Sequence, residues 1–263
     1  MKDILEDVKR IVLEASALID FRRLEIIQKG PKENFATSID LKIQEFLNEK
    51  LVGLIEGSVV FGEENAENSL SQYTWIVDPI DGTVNLIRDI PNYAISVGLL
   101  YQGEIILGVV LNPKSNELFY AQKNQGAFLN GKPIKTSNKE FKDGLLCTAM
   151  SLYKKEYAPV CFDIISEAYD ECLDVRRFGS CALELCYLAM GRIDLYFEIR
   201  VFPWDYAGAS IILTEAGGKY GSIDRVEITH DKPIPFIAAN NECNLVKMKK
   251  IVNKHINEVL YGK

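Results

Sequence analysis

The stretch WIVDPIDGTVN, residues 75–85, decides how this chain is read. Three apolar residues, Trp75-Ile76-Val77, have the character of a buried strand. They run into two carboxylates three positions apart, Asp78 and Asp81. Pro79 cannot extend a sheet ladder in both directions, and Gly82 frees the backbone to turn. The strand is therefore expected to end between the acids, so that both carboxylates converge on one point. Two such groups repel unless a positive charge lies between them. Mg²⁺ suits that position, being a hard cation that takes oxygen ligands and keeps places open for a phosphate. A surface turn built from Asp-Pro and Asp-Gly is the plainer alternative.

Two further stretches favour the metal. FGEEN brings Glu63 and Glu64 to the end of another short strand, and PWDYAGA brings Asp205 to a helix start, where a helix cap is the alternative role. Acids delivered by three separate strand or loop ends suggest one polynuclear site. Two cations about 3.5–4 Å apart clamp a phosphate and activate a water. Gly82 and Thr83 sit where a helix would begin, so a phosphate there meets backbone N–H groups and the positive end of the helix dipole. Thr83 is also placed to hold the attacking water.

The rest of the chain frames that site. Its 263 residues are 48% hydrophobic and 25% charged, ample for one large domain or two moderate ones. With 30 basic and 37 acidic residues the net charge is −7, and no Lys/Arg block stands out, which argues against nucleic acid as a partner. The N-terminus reads as an amphipathic helix with Ile4, Val8, Ile11, Val12, Ala15 and Ile19 on one face, and it lacks the apolar core of a signal peptide. No apolar run is long enough to cross a bilayer. Six scattered cysteines without a CxxC, and only two histidines, speak against zinc and for reduced thiols in a cytoplasmic protein.

Along the chain, QKGPKENFATSID reads as a turn-rich linker and roughly 40–55 as a second helix. YAISVGLL, EIILGVVL and ELFYAQ, separated by turn signals, read as an antiparallel meander. From about 140 helices alternate with strands. The expected organisation is an N-terminal α+β half, 1–138, with the antiparallel sheet and most metal ligands, and a C-terminal α/β half, 139–263, with the substrate-binding residues. His230 reads as a loop residue, and Trp75 and Trp204 as packing residues beside the acids.

D-P-I-D-G-T (78–83), G-E-E (62–64) and W-D-Y-A-G-A…E-A-G-G (204–209, 215–218) together resemble the inositol monophosphatase family, and the resemblance covers essentially the whole chain. It implies a layered αβαβα sandwich, usually dimeric, and a Mg²⁺-dependent, lithium-sensitive phosphatase of small polyol or sugar phosphates using two to three ions. Carried over by motif, Glu63, Asp78 and the carbonyl of Ile80 would bind a first Mg²⁺. Asp78, Asp81 and Asp205 would bind a second, and a weaker third would share Glu63. Asp40 would orient the water together with Thr83, and Lys29 would be an outer charge. No covalent phosphoenzyme is implied. Glu64 reads as a supporting carboxylate.

On the substrate side, Glu198 matches the family position that accepts hydrogen bonds from substrate hydroxyls. Gly179, Ser180 and Cys181 match the loop lining the sugar, although the family often has alanine where Cys181 stands. Arg200, two residues beyond Glu198, would share its strand face and offer a site for a second phosphate, with Arg176 and Arg177 nearby. Inositol 1-phosphate is the expected substrate. Fructose 1,6-bisphosphate is the alternative, nucleotide 3′-phosphates and histidinol phosphate stand behind it, and a metal-binding regulatory protein without activity is the rival from another class.

Overall fold

The computed structural model describes residues 2–28, 35–65, 70–150, 154–223 and 228–260. Helix α1 (Lys2–Ser16) leads through strands β1 (Ile26–Gln28) and β2 (Phe35–Thr37) into α2 (Ser38–Val52). Strands β3 (Val59–Gly62) and β4 (Tyr73–Asp81) precede the short helix α3 (Thr83–Ile87). Then come β5 (Ala94–Tyr101), β6 (Glu104–Asn112), β7 (Glu117–Gln122), β8 (Ala127–Leu129) and β9 (Lys132–Ile134). The remainder is β10 (Leu145–Ala149), α4 (Ala158–Tyr169), β11 (Asp174–Arg176), α5 (Cys181–Ala189), β12 (Leu195–Val201), α6 (Pro203–Glu215), β13 (Lys219–Ser222), β14 (Ile234–Ala239) and α7 (Glu242–Leu260).

Two sheets organise these elements. The larger runs β3-β4-β5-β6-β7-β8-β9, parallel between β3 and β4 and antiparallel thereafter. The smaller runs β11-β10-β12-β14-β13, parallel on one side of β12 and antiparallel on the other. Alternation along β4, β5 and β6 explains the layering. Trp75, Val77, Ile95, Val97, Leu99, Leu107, Val109 and Leu111 face α1 and α2. Ile76, Ala94 and Val110 face the opposite way, toward α5 and α6. Both faces are covered, so these strands read as continuous apolar runs although they are antiparallel.

Helices α5 and α6 fill the space between the sheets, where Leu183, Cys186 and Ala207 meet Tyr196 and Phe236 of the smaller sheet. On its far side Phe197 and Ile237 pack with Ile164, Met248 and Val252 of α4 and α7. The order of layers is thus α1/α2, large sheet, α5/α6, small sheet, α4/α7, the αβαβα sandwich expected.

Three glycines let α6 lie against the large sheet. A Cβ on Gly108 would stand 2.0 Å from the Gly208 carbonyl oxygen, and one on Gly208 would stand 2.7 Å from Ser96 Oγ. Gly98 meets Gly208 N in the same way, at 3.0 Å. This contact fixes the height of α6 over β5 and β6, and hence the place of Asp205 in its first turn.

Several local expectations change. β4 does not stop between the acids but continues through both to Asp81. The pairing shifts there: Asp78 lies opposite Ser96 and Asp81 opposite Ala94, three steps on β4 against two on β5. The extra residue is a β-bulge, which tolerates the missing N–H of Pro79. Helix α2 runs from Ser38 to Val52, rather than 40–55, because Thr37 caps it. The linker carries the β1–β2 hairpin, whose intervening residues, with Lys29 among them, lie outside the described residues. α6 starts at Pro203, so Asp205 is inside the first turn rather than before the helix. The short strands β8, β9 and β13 complete the sheets beyond the predicted set.

Candidate metal and phosphate site

The bulge in β4 assembles the acids. On an unbroken strand, residues three apart face opposite sides of the sheet. One inserted residue restores a common side for Asp78 and Asp81. The third acid comes from α6: oxygens of Asp78, Asp81 and Asp205 all lie within 4.8 Å of one another. Each is also held by hydrogen bonds from the protein. Asp78 Oδ1 accepts from Ile80 N at 2.9 Å. Asp81 Oδ2 accepts from Ser180 Oγ at 2.6 Å and Ala182 N at 2.7 Å. Asp205 Oδ2 accepts from Phe202 N at 2.8 Å.

The electrostatics of this group are costly without a cation. Burial, then the charges of Glu63, Asp81, Asp205 and Asp40, push Asp78 well above the usual carboxylate range. Asp205 is raised by burial and by Asp81, Glu198 and Glu63. Burial lifts Asp81 to about 6 against the hydrogen bonds from Ser180 and Ala182. Oxygen-only donors, clustered and mutually repelling, fit a hard divalent cation, which removes the repulsion. Glu63 sits in the one-turn helix Glu63–Asn65 after β3 and bears on Asp78 and Asp205 electrostatically, but outside the tight group of three.

A further acid, Asp40, adjoins the cluster. Asp40 is fully buried in the first turn of α2. Its Oδ2 accepts from Thr37 N at 3.0 Å and from the Thr37 hydroxyl, closing a capping box. Its Oδ1 lies 3.0 Å from Thr83 Oγ1, which is also 3.1 Å from the Ile80 carbonyl oxygen. The alternatives of helix cap and site residue are thus compatible, since each uses a different carboxylate oxygen. Burial raises Asp40, and Glu64 adds to the rise. Gly82 takes φ 92° between Asp81 and Thr83, and a Cβ there would stand 3.0 Å from the carbonyl oxygens of Asn92 and Gly179. α3 has only five residues, so the backbone N–H groups at its start count for more than its dipole.

Across from these acids, Ser180 caps α5 and Cys181 is buried behind it, its thiol raised by burial and by Glu198, Asp205 and Asp81. Glu198 on β12 accepts from Tyr196 OH at 2.7 Å, and burial lifts it to about 8. A second register shift lies between Glu198 and Val201, in the stretch that carries Arg200. Among the described residues Arg200 makes no ion pair. Its guanidinium lies 4.4 Å from the Phe202 ring centroid, and Phe202 stacks on Trp204 at 4.8 Å. Arg176 is tied to Asp174, whereas the charge of Arg177 reaches Glu198.

Trp75 is fully buried and donates to Ser58 Oγ at 3.2 Å, and Trp204 packs against Phe61, so both are packing residues. His230 is in a loop, but buried, 3.1 Å from Tyr206 OH. Sequence reasoning missed Asn85 and Glu184, which hold the Phe178–Gly179 segment. Glu184 did carry a signal, as the one charged residue in SCALELCYLAMG.

Comparison with known proteins accords with this geometry. The inositol monophosphatase family model matches residues 4–259. The chain belongs to that family. It is 36% identical over 198 residues to "Nus factor SuhB" of Escherichia coli, covering 74% of each chain. It is 34% identical over 213 residues to the "Inositol-1-monophosphatase" of Caulobacter vibrioides, covering 79% of this chain and 82% of that one. The solved IMPase of Thermotoga maritima superposes with TM-score 0.84 at 29% identity, over 97% of this chain and 99% of the other. The inositol monophosphatase of Anabaena gives 0.81 at 27%, over 97% and 96%. Members of this family are generally metal-dependent phosphatases, and Asp78, Asp81 and Asp205 form an acidic cluster with the spacing to hold an ion. No helix among the described residues is long and apolar enough to cross a membrane.

Proposed function

We propose that this chain is a Mg²⁺-dependent phosphomonoesterase that converts inositol 1-phosphate to myo-inositol and phosphate. The observation that supports it most is the group Asp78, Asp81 and Asp205 within 4.8 Å, with the Asp40–Thr83 pair beside it. Glu63, Asp78 and the Ile80 carbonyl would hold one ion, and Asp78, Asp81 and Asp205 another, with Glu63 shared by a third. Bound there, Mg²⁺ lowers the cost of deprotonating water and offsets the charge that grows on the leaving alkoxide.

The chain's own groups supply orientation. When Thr83 Oγ1 donates to Asp40 Oδ1, its lone pairs are left to accept a hydrogen from the attacking water. Asp40 keeps that direction because its other oxygen is occupied by Thr37. Gly82 and Thr83 N–H groups face the phosphate. Glu198, when ionised, accepts from ring hydroxyls, and Gly179, Ser180 and Cys181 line the ring. No serine, cysteine or histidine serves as nucleophile. The nearby Cys181 thiol is raised by burial and by negative neighbours, the reverse of an activated thiolate.

Fructose 1,6-bisphosphate is the second reading. It is favoured by Arg200, which stacks on Phe202 and pairs with no acid among the described residues, and by Arg177, whose charge reaches Glu198. Nucleotide 3′-phosphates and histidinol phosphate rank below both. The name "Nus factor SuhB" keeps the regulatory rival in view. It is disfavoured because Asp40, Glu63, Asp78, Asp81, Thr83 and Asp205 are all retained. We place the enzyme in the cytoplasm as a lithium-sensitive homodimer divided near residue 138. Phosphate release from the four substrates, with Mg²⁺ or with chelator, tests the assignment. Preference for inositol 1-phosphate supports it, comparable turnover of the bisphosphate supports the second reading, and no metal-dependent turnover refutes both.

A further inference from the structure

The segment Phe178-Gly179-Ser180 is held from two sides. From α5, Glu184 Oε1 accepts from Phe178 N at 2.7 Å and from Gly179 N at 2.9 Å. From α3, Asn85 Nδ2 donates to the Phe178 carbonyl at 2.7 Å and to the Asn92 carbonyl at 2.6 Å. Gly179 adopts φ 83°, and a Cβ there would stand 3.1 Å from Asn85 Nδ2, so the approach needs glycine. With its N–H groups fixed by one side chain and a carbonyl by the other, the segment cannot rotate its peptide planes. The next residue, Ser180, donates to Asp81 at 2.6 Å.

We propose that Glu184 and Asn85 are paired positioning residues for the loop Gly179–Cys181 and, through Ser180, for Asp81; this assignment rests on the phosphatase reading above. Neither side chain touches the reacting groups. Glu184 is fully buried in a helix whose other residues, Cys181 to Ala189, are all apolar or aromatic and buried. A leucine there would avoid the desolvation of a carboxylate. Oε2 accepts no regular hydrogen bond among the described residues, and the neighbouring Cys147 thiol, a weak donor, repays little of that cost. What the carboxylate contributes is one oxygen that accepts two N–H groups lying upstream of the helix, which no strand or helix partner takes. Its use is local geometry: the clamped segment joins the ring-lining loop to a metal-site acid.

The test compares Glu184→Ala, Glu184→Gln, Asn85→Ala and the Glu184→Ala/Asn85→Ala double variant in the full chain with Mg²⁺ and inositol 1-phosphate. A glutamine oxygen still accepts both N–H groups, whereas alanine leaves them unpaired. Glu184→Ala and Asn85→Ala are each expected to raise KM about tenfold or more, because small misplacements of binding groups are costly. Glu184→Gln should stay within about threefold of the parent, and the double variant should be little worse than the poorer single one. Amide hydrogen exchange of residues 178–182 should quicken in the alanine variants while the rest of α5 stays protected. Unchanged KM in folded Glu184→Ala, a Glu184→Gln variant as impaired as Glu184→Ala, or unaltered exchange at 178–182 would overturn the proposal. Exchange reads the clamp without turnover, so a failure of the phosphatase reading and a failure of the clamp are separate results.

Discussion

Thr83 Oγ1 lies 3.0 Å from Asp40 Oδ1 across 43 residues of sequence, joining the start of α3 to the first turn of α2. Asp40 needs no second role to explain its burial, since the cap on α2 uses Oδ2 alone. If the remaining oxygen serves to aim Thr83 at water, Thr83→Ala and Asp40→Asn lower kcat by about 10²–10⁴, the range for a positioned proton acceptor, with little change in KM. Steady-state kinetics at saturating Mg²⁺ checks this. A change confined to KM would place the pair in substrate binding instead.

The acidic cluster makes the metal-free protein sensitive to pH in an unusual direction. Asp81 is raised from 3.8 to about 6, and Asp78 and Asp205 are also raised. Carboxylates whose folded pKa exceeds the unfolded value bind more protons when folded, so their contribution to stability is lost as pH rises through that interval. In chelator, Tm is therefore expected to fall from about pH 4 toward pH 6 and above, relative to the protein in Mg²⁺, so the gap between the two curves widens with pH. Asp78→Asn in chelator should have a higher Tm than the parent at neutral pH, while losing at least about a hundredfold in activity, since even groups that only support metal ligands cost 10–100-fold.

The triple-glycine contact is a packing requirement rather than a chemical one. Gly108→Ala drives a methyl group to 2.0 Å from the Gly208 carbonyl and must displace α6. Overpacking of this kind costs about 1–3 kcal/mol or more, which for a chain of this size is a Tm loss of roughly 2–12 °C. Gly98→Ala, with contacts no closer than 3.0 Å, is expected to cost less. Thermal melts of both variants decide the order.

Arg200 separates the two substrate readings. Replacing it with leucine keeps an apolar neighbour for Phe202 and removes the charge. Turnover of fructose 1,6-bisphosphate should fall by tenfold or more, on the scale of about 1.5–3 kcal/mol for a hydrogen bond to a charged group, with inositol 1-phosphate within about twofold. Equal losses on both substrates would make Arg200 a structural support for the Phe202–Trp204 stack.

The layered fold and the acids were legible in the sequence because both rest on local signals. Apolar runs bounded by turn residues mark β4, β5, β6 and β7, and D-P-I-D-G-T carries two of the three clustered acids. What was hidden depends on pairing between distant segments. Pro79 reads as a strand terminator, and only the partner strand reveals that β4 absorbs it as a bulge and runs on to Asp81. The same effect hid the shift between Glu198 and Val201. Pro203 starts α6 earlier than the small-residue run suggests, which puts Asp205 in the helix. Asn85 carried no sign of its role, because its partner at Phe178 lies 93 residues further along the chain.

The most direct test of the central claim is phosphate release from inositol 1-phosphate at neutral pH by the full chain, in Mg²⁺ and in chelator, with Asp205→Asn as the control. Metal-dependent turnover that the substitution abolishes is the predicted result. Turnover that is indifferent to Mg²⁺, or a control indistinguishable from the parent, would contradict a metal site at Asp78, Asp81 and Asp205.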